Sequence, residues 1–395
     1  MESVSTGIRR VPKLQASVVM QLRSWIDTGR LPTGNPLPPE RVLAKELGVA
    51  RRTLRAALDQ LEIDGLITPA IGRGPRMIEG PDANAQLISN AVILITNPGD
   101  AVGPRQGGNT EHRGWESYVQ YQVTQSLQDS FLPVLTVDPA SMGDVRARVM
   151  AQSRPQGAIA AYYAGEDDLV LSILKKWHLA GIPLVVHGDS AELQEYDRVS
   201  VDHEAGAAAL TQWAVGQGCK RIIQFWRFSA THHWLLQREA GYQRAMRKAG
   251  LAVSDPVRTP DLPFTDSVSD RQDESIFRQL AAMLAGYLAP LVLGANPVDA
   301  ILVAADHHAY QVNAALRLLG KQPGKDVRVL GFDNSYPDDY ERQWEHCGPA
   351  ATMDKNNQRV GQELVDLLLK RINGRLSPEP QCSRIEPRLV VAGNL

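Results

Sequence analysis

Apolar residues recur at helical spacing in three short segments near the amino terminus. The first covers residues 13–28 and stops at Gly29, and the second covers about residues 40–47, after a run of prolines. In the third, about residues 51–64, apolar residues repeat every three or four positions, the pattern of a helix that packs one face into a core. The sequence therefore predicts three helices within the first 64 residues.

A β-hairpin is predicted directly after the third helix. The stretch LITPAIGRGPRMIE, residues 66–79, has two short apolar runs on either side of a turn at residues 72–74. Three helices followed by such a hairpin predict a winged helix-turn-helix domain over residues 1–78. Residues 79–90 are small and polar, which predicts a linker.

The remaining residues, 91–395, follow a different pattern. Short apolar runs alternate with amphipathic helical stretches, which predicts an α/β fold with mostly parallel sheets and helices on both faces. Two series of such units predict two lobes, an N-lobe of about 91–218 and 350–374 and a C-lobe of about 219–349 and 380–395. A ligand crevice is expected at the carboxyl ends of the strands. The apolar runs are AVILIT, LPVLTV, GAIAAY, PLVVHG, RVSVD, RIIQFW, AILVAA and VRVLGF.

Charge is divided unevenly along the chain. The net charge is -2, yet residues 1–80 hold 12 Lys and Arg against 8 Asp and Glu, whereas residues 81–395 hold 30 against 36. A basic head on an acidic body is typical of proteins in which only one module meets a polyanion.

The cysteines, Cys219, Cys347 and Cys382, are far apart and form no CxxC pair, which indicates reduced thiols. With no apolar run near about 20 residues, the sequence predicts a soluble cytoplasmic protein with no membrane partner.

Arginines mark the part of the head that would meet DNA. Arg51 and Arg52 stand at the start of the third helix and Arg55 lies one turn further along, while Arg73 and Arg76 belong to the hairpin. Positive charge at a helix amino terminus is slightly unfavourable in the free protein, but contact with phosphate or guanine reverses the sign. We therefore expect this helix to enter a DNA groove and the hairpin arginines to contact the backbone or the minor groove. The alternative is a solvated helix face.

The segment LPPERVLAKELGVARRTLRAALDQLEIDGLI, residues 37–67, resembles the DNA-binding domain of the GntR family of bacterial regulators. The resemblance covers about residues 11–78, and it departs from the family pattern at Ala50, where Ser or Thr is usual, and at Arg52, where a small polar residue is common. It implies that Gly72 forms the tip of the wing. It also places four residues at DNA-contacting positions of the family: Arg41, Arg51, Thr53 and Arg55.

The body resembles the effector domain of LacI-type regulators. The residues that carry the resemblance include REAGYQRAMRKAGL, DVRVLGFDN and GPAATMDKNNQRVGQELVDLLLKRI. It implies a two-lobed parallel α/β domain of the periplasmic-binding-protein-like type I class. A GntR-type head on this body resembles the architecture of arabinose-type repressors, in which the LacI hinge helix is absent.

The same resemblance implies a set of effector contacts. Arg238 and Asp333 point into the cleft, and Trp115 with Glu116 begins the first helix over the ligand. A guanidinium facing a carboxylate can hydrogen-bond neighbouring hydroxyls of a sugar, and an indole packs on its C–H face. The alternatives are a salt bridge between Arg238 and Asp333 without ligand, and core packing of the tryptophan. Two further residues complete the expected set: Phe264 after a strand-like run, and Asp306, which is also expected to cap a helix.

No motif of an enzyme or a metal site is present. The sequence lacks GxxxxGK[ST], GxSxG and HExxH, and adjacent histidines at 232–233 and 307–308 point in different directions, so no cofactor or metal is expected. The function predicted is a DNA-binding regulator, a repressor acting as a homodimer, whose operator affinity depends on a sugar-like effector. The alternatives are a constitutive DNA-binding protein with a non-sensing body, and an α/β enzyme fused to a DNA-binding head.

Overall fold

Three helices form the head of the protein: α1 (Lys13–Asp27), α2 (Glu40–Glu46) and α3 (Arg51–Ile63). Their bounds agree with the helical spacing of the sequence to within one residue. Gly48, between α2 and α3, has a φ of +65°, a left-handed conformation that glycine adopts without steric cost. The turn of the helix-turn-helix therefore depends on a glycine at this position.

The chain divides into two compact units, Met1–Ser89 and Asn90–Leu395. The structure is a computed structural model. It describes residues 13–27, 29–32, 34–63, 66–68, 75–78, 88–96, 115–139, 142, 147, 150–163, 165, 167–227, 232–259 and 271–391.

The described part of the wing is antiparallel. Ile67 bridges to Ile78 and Pro36 bridges to Met77, and the amide of Thr68 donates to the carbonyl of Met77 at 2.9 Å. Ile67 and Ile78 are buried in the same core as α1, α2 and α3, together with Trp25. The hairpin is thus packed onto the helices. Its tip, residues 72–74, lies outside the described residues.

The second unit contains twelve strands and seven helices within the residues that the structure describes. The strands are β1 (Val92–Ile95), β2 (Val134–Val137), β3 (Gly157–Tyr163), β4 (Leu184–His187), β5 (Asp197–Val201), β6 (Ile222–Trp226), β7 (Val257–Arg258), β8 (Ala300–Val303), β9 (Arg328–Leu330), β10 (Ala351–Asp354), β11 (Cys382–Ile385) and β12 (Arg388–Val391). The helices are α4 (Trp115–Asp129), α5 (Asp168–Leu179), α6 (His203–Gly216), α7 (His233–Lys248), α8 (Glu274–Val292), α9 (Asp306–Leu318) and α10 (Asn357–Ile372).

These strands form two six-stranded sheets, one in each lobe. The N-lobe sheet has the order β11-β5-β4-β3-β1-β2 with every pair parallel, and the C-lobe sheet has the order β12-β10-β9-β8-β6-β7. Only the pair of β10 and β12 is antiparallel. Buried apolar residues cover both faces of each sheet, which explains why most strands are continuous apolar runs.

The chain crosses between the lobes three times: between β5 and α6, between β10 and α10, and between β11 and β12. Three elements therefore lie in the other lobe from the one that the sequence predicts. Helix α6 buries Leu210 and Ala214 against Tyr242 of the C-lobe, and β10 pairs with β9 of the C-lobe. Strand β11 pairs with β5 at the edge of the N-lobe sheet, because the chain has already crossed to the N-lobe between β10 and α10.

Close packing of α6 against α7 depends on one glycine. A Cβ atom at Gly241 would overlap the carbonyl oxygen of Glu204 on α6. Next to it, the hydroxyl of Tyr242 donates to the carbonyl of Ile222 on β6 at 2.8 Å. This Gly-Tyr pair thus fixes α7 against both α6 and the sheet, and the position of α7 matters because it forms one wall of the cleft.

Helix α8, of 19 residues, is long and apolar enough to cross a membrane by length and composition alone. Its buried residues Leu284, Leu288 and Val292 belong to the core formed with α9 and the C-lobe sheet. Core helices of globular domains commonly have such a composition, and the packing of α8 identifies it as one of these.

Candidate functional site

Basic side chains are concentrated at the amino-terminal end of α3. Arg51, Arg52 and Arg55 are exposed, whereas the opposite face of the helix buries Leu54 and Leu58. The first N–H groups of a helix have no intrahelical partner and carry partial positive charge, so arginines beside them strengthen the attraction of a polyanion. This end of α3 is suited to contact DNA phosphates and base edges.

The side chain of Arg55 is accessible to solvent, and an ion pair with α2 fixes its position. Its Nε donates to Oε2 of Glu40 on α2 at 2.8 Å, and its side chain remains 63% exposed. Arg41 on α2 is also exposed, while Thr53 is half-buried. Two other residues predicted to contact DNA lie outside the described residues: Gly72 and Arg73.

Arg76 differs from the other arginines of the head, because its guanidinium is surrounded by carboxylates of the protein itself. Nη1 lies 3.1 Å from Oε1 of Glu40, Nη2 lies 3.0 Å from Oδ1 of Asp59, and Nε bonds to Glu62. The side chain is only 17% exposed. Arg76 thus joins residues 75–78 of the wing to α2 and α3, and its predicted contact with DNA stays a prediction.

The body contains a cleft between its lobes at the carboxyl ends of the strands, with a volume of about 340 Å³ that includes open solvent. The N-lobe contributes residues that follow β3 and β4, and the C-lobe contributes the first turns of α6 and α7. Parallel strands place their carboxyl ends at one edge of a sheet, so loops from both lobes meet there. The lining residues are Gly165, Gly188, Asp189, Ser190, Leu193, Ser200, Val201, His203, His233, Trp234 and Gln237.

An aromatic stack forms the C-lobe wall of the cleft. The rings of His232 and Trp234 are parallel within 10°, with centroids 5.5 Å apart. Behind Trp234, the guanidinium of Arg238 lies 4.4 Å from the indole centroid and 3.6 Å from the ring of Phe332. Arg238 is 3% exposed and lies against the indole, and its predicted contact with an effector stays a prediction.

The N-lobe wall is polar. Oδ1 of Asp189 accepts from Nε of Arg198 at 3.2 Å, and its side chain is 23% exposed. The hydroxyl of Ser190 is buried and has no hydrogen-bond partner within the described residues. Gln237 and His233 face this wall from α7, with their side-chain nitrogens 3.1 Å apart. Carboxylate, hydroxyl, amide and imidazole groups therefore line the same cleft as an indole, which suits a polyhydroxylated ligand.

Two buried histidines near the cleft are neutral. Burial, with a contribution from Lys355, lowers the pKa of His187 to about 3. Burial also lowers the pKa of His203 well below its usual value, and the charges of Arg238 and Lys355 lower it further. Because His203 is neutral, its Nδ1 accepts hydrogen bonds from Arg238 at 3.3 Å.

Asp333 is engaged by a lysine of the protein itself. Its Oδ1 lies 2.7 Å from Nζ of Lys355, an ion pair whose side chains are 7% and 1% exposed. This oxygen makes no aligned hydrogen bond, so the contact is chiefly electrostatic. Lys355 follows β10 in the second crossover, and Asp333 follows β9 with a φ of +102°. The salt bridge with Arg238, which was the alternative to effector contact, is not formed, because Asp333 pairs with Lys355. The predicted contact of Asp333 with an effector stays a prediction.

Asp306 has a structural position. Its carboxylate accepts hydrogen bonds from the amide of Ser335 at 2.9 Å, from the amide of Tyr336 and from the hydroxyl of Thr352 at 2.7 Å. It is fully buried, and burial with the nearby carboxylate of Asp339 raises its pKa well above the usual value. The residue at the cap position of α9 is Ala305. Asp306 therefore fixes the loop after β9, and the prediction that it caps a helix is wrong. Its predicted contact with an effector stays a prediction.

The structure does not describe the side chains of the other residues that are predicted to contact the effector. Helix α4 does begin at Trp115, as the sequence suggests. The side chains of Trp115 and Glu116 and all of Phe264 lie outside the described residues, and they stay predictions. Among the residues that the structure describes, no three His, Cys, Asp or Glu side chains converge as metal ligands would.

Several lining residues were missed by sequence reasoning. Asp189 and Ser190 directly follow the apolar run PLVVHG, at the carboxyl end of a strand. The rule that ligands bind at the carboxyl ends of parallel strands would have selected them. His233 and Gln237 lie one helical turn apart on α7, and no local motif distinguishes them from surface residues.

Comparisons with known families agree with this arrangement. Residues 14–76 match the family model of bacterial regulatory proteins of the gntR family, and residues 212–393 match that of the periplasmic binding protein-like domain. The fold and these matches define a two-domain protein with a DNA-binding head and a ligand-binding type of body. The chain carries a gntR-family helix-turn-helix domain followed by a periplasmic-binding-protein-like α/β domain.

The relatives that the chain matches are regulators of transcription. It is 25% identical over 218 residues to the HTH-type transcriptional regulator CelR of Thermobifida fusca, covering 54% of this chain and 56% of CelR. It is 32% identical over 82 residues to the HTH-type transcriptional regulator GmuR of Bacillus subtilis, covering 20% of this chain and 35% of GmuR. The match thus spans 56% of the length of CelR and 35% of the length of GmuR.

Solved structures share the fold. A complex of the transcriptional regulator CelR with cellobiose superposes with a TM-score of 0.56 at 18% identity, covering 90% of this chain and 99% of that one. A putative ribose operon repressor from Burkholderia thailandensis superposes with a TM-score of 0.54 at 21% identity, covering 77% and 99%. These solved structures therefore share the fold of this chain.

Proposed function

We propose that this protein is a cytoplasmic transcriptional repressor, not an enzyme, that binds an operator as a homodimer and releases it when a sugar-like effector occupies the cleft. The proposal rests on the observation that a single chain combines a site suited to DNA with a cleft suited to a small molecule. The exposed arginines at the start of α3 belong to a winged helix-turn-helix, and the body has a cleft lined by polar groups and an indole. The regulators named above support the same function.

For the head, the proposed DNA contacts are the exposed arginines of α2 and α3. A helix that enters the major groove by its amino-terminal end reads base edges with its first residues. Arg51 and Arg52 occupy that end, and Arg41 lies on the preceding helix. Gly72 and Arg73 are proposed to contact the backbone from the wing. Two heads in a symmetric dimer match a palindromic operator.

For the body, the chemistry of the cleft supports a sugar. Trp234 offers a flat apolar wall for the C–H face of a pyranose or furanose ring. Asp189, Ser190 and Gln237 offer hydrogen bonds to hydroxyl groups, and a ligand that lacks those hydroxyls would leave them unpaired. The cellobiose in the CelR complex is a ligand of this class.

For the coupling, the three crossovers provide a hinge between the lobes. An effector that contacts both walls favours the closed arrangement only by its difference in affinity for the closed and open states. We propose that closure changes the dimer and the spacing of its heads, so that operator affinity falls by the same coupling free energy.

The first prediction tests effector binding and coupling together. Cellobiose, ribose, xylulose and glucose are each added to the full chain, and the melting temperature is followed; a sugar at 100 times its Kd stabilises the native state by about 2.7 kcal/mol. Operator duplexes selected from a random library by the protein should be released by the same sugar. Gln237→Ala should lose the shift, and Gln279→Ala, an exposed residue on α8, should keep it.

The outcomes separate the alternatives. A sugar that raises the melting temperature but leaves operator affinity unchanged would contradict the coupling. A chain that selects an operator yet responds to no small molecule would be the constitutive DNA-binding protein.

The second prediction concerns the head. Arg51→Ala should weaken operator binding by about 1–3 kcal/mol and relax the base preference at one position of each half-site, because a bidentate contact to guanine is lost. The measurement is fluorescence anisotropy with the selected operator and single-base variants. Arg278→Ala, which removes an exposed arginine of the body, is the control. Unchanged base preference in the Arg51 variant would remove this residue from the base contacts.

A further inference from the structure

The N-lobe wall of the cleft is formed by a short loop between β4 and β5. The loop begins at Gly188, whose amide donates to the carbonyl of Val199 at 2.9 Å and whose φ of +132° favours glycine. Asp189 and Ser190 follow, and both line the cleft together with Leu193. Leu193 is 1% exposed and belongs to the core of the N-lobe, so the loop is anchored at both ends.

The side chain of Gln194 closes this loop from within. Its amide nitrogen lies 3.1 Å from the carbonyl oxygen of Ser190, 3.4 Å from the carbonyl oxygen of Asp189 and 3.3 Å from Oδ1 of Asp189. An amide nitrogen has two N–H bonds, so it shares them among these three oxygens. One side chain thus contacts both the backbone and the carboxylate of the residues that face the cleft.

Arg198 on β5 joins the Asp189 carboxylate to the Gln194 amide. Its Nε donates to Oδ1 of Asp189 at 3.2 Å, and its Nη2 donates to Oε1 of Gln194 at 2.5 Å. Because the guanidinium is a planar fork, these two bonds fix the angle between the two side chains. The side chain of Arg198 is 13% exposed and that of Asp189 is 23% exposed, so water and salt screen this ion pair less than a fully exposed one.

The two oxygens of the Asp189 carboxylate are not equivalent. The bonds from Gln194 and Arg198 both go to Oδ1, and within the described residues Oδ2 has no hydrogen-bond partner. A carboxylate accepts hydrogen bonds at both oxygens and donates none. Oδ2 is therefore the atom through which this carboxylate can accept from a ligand in the cleft.

We propose that Gln194 and Arg198 are positioning residues, which hold Asp189 so that its Oδ2 accepts a hydrogen bond from one particular hydroxyl of the effector. Asp189 is then a specificity-determining residue, because a sugar without that hydroxyl leaves the carboxylate oxygen unpaired. This proposal deepens the proposed function and rests on it for the class of the effector. The loop itself is a property of the protein without ligand, so two measurements distinguish a failure of the positioning from a failure of the proposed function.

The first measurement needs no ligand. Hydrogen exchange of the full chain is read by mass spectrometry in residues 188–196. We expect exchange there to be about tenfold faster in Gln194→Met and in Arg198→Met, because each variant removes bonds that close the loop, and exchange in α5 should stay unchanged. Unaltered exchange of residues 188–196 in either variant would overturn the positioning role of that residue.

The second measurement uses the panel of cellobiose, ribose, xylulose and glucose. The sugar that raises the melting temperature is compared with its monodeoxy derivatives. Loss of one hydroxyl should weaken binding to the unaltered chain by about tenfold, since a hydrogen bond to a charged group is lost, and should have no effect on binding to Asp189→Ala. In Gln194→Met and Arg198→Met, the penalty should shrink at this same hydroxyl and at no other. A purely structural role would weaken the sugar and all its derivatives equally, and that result would refute the proposal.

A double variant tests whether Arg198 acts through Asp189. Asp189→Ala combined with Arg198→Met should bind the sugar no more weakly than Asp189→Ala alone. A further loss in the double variant would show that the arginine contacts the sugar itself, which contradicts a positioning role.

Two controls complete the design. Arg359→Met breaks an ion pair with Glu363 on α10 of the same lobe, where the arginine is 52% exposed, and should alter neither measurement. If Arg198→Met does not fold, Arg198→Lys, which lacks the planar fork, is taken through both measurements. If no sugar of the panel binds the unaltered chain, the proposed effector class fails, and hydrogen exchange still decides whether Gln194 and Arg198 hold the loop.

Discussion

Replacement of Lys355 by methionine is expected to lower the free energy of unfolding of the body by about 3–5 kcal/mol, because the carboxylate of Asp333 would be left buried without the cation beside it. Both side chains are more than nine-tenths buried, and their charged atoms are 2.7 Å apart. The loss should be visible in urea denaturation of the full chain as a lower midpoint with an unchanged slope.

A second variant and a neighbouring pair serve as controls. In Lys355→Met combined with Asp333→Asn, neither charge of this pair remains buried, and most of the lost stability should return. Asparagine is tolerated at the positive φ of position 333, so the backbone adds no new strain. Arg388→Met breaks an exposed pair with Asp354 and should cost less than about 1 kcal/mol. Equal losses in Lys355→Met and Arg388→Met would show that burial does not determine the strength of the Asp333 pair.

The sequence predicts the fold well where apolar patterns are strong. All eight apolar runs singled out in the body become strands, because strands covered on both faces consist of consecutive apolar residues. The sequence pattern did not predict four strands: β7, β10, β11 and β12. Strand β11, with the sequence CSRI, lies at a sheet edge with half of its residues exposed, so it lacks an apolar run. Three elements were assigned to the wrong lobe, because the places where the chain crosses between lobes depend on which strands pair with each other. Local composition does not reveal that pairing.

The candidate site is less predictable than the fold. The resemblance directs attention to Arg238, Asp306 and Asp333, and all three are buried beside or behind the cleft. Sequence reasoning cannot tell which partner a buried charge takes, because Lys355, His203 and Thr352 are distant in sequence and become neighbours only through the crossovers and sheet pairing. A charge in a low-dielectric interior must be paired or hydrogen-bonded, and here the pairing groups come from the protein itself.

The arginines of the head also show that the partners of a charged residue cannot be predicted from the sequence. Arg51, Arg55 and Arg76 look alike in the sequence as basic residues of a DNA-binding module. Only the folded chain shows that Glu40, Asp59 and Glu62 gather around Arg76, while Arg51 remains exposed. The carboxylates on α2 and α3 thus distinguish an arginine that stabilises the head from arginines that are available to DNA.

Arg76→Met is therefore expected to destabilise the head by about 2–4 kcal/mol, between the cost of breaking an exposed pair and that of breaking a buried one. The side chain is 17% exposed and joins the wing to both helices, so its loss leaves Glu62 without this cation and Glu40 with only Arg55. Hydrogen exchange of the full chain, read by mass spectrometry, should show faster exchange in α3 and in residues 75–78, with the body unchanged. Arg55→Met, which also loses a bond to Glu40 but is 63% exposed, should leave exchange in α3 within about 1 kcal/mol of the unaltered chain. If Arg76→Met instead exchanges like the unaltered head and loses only affinity for DNA, Arg76 contacts the phosphate backbone and the ion-pair cluster has no structural role.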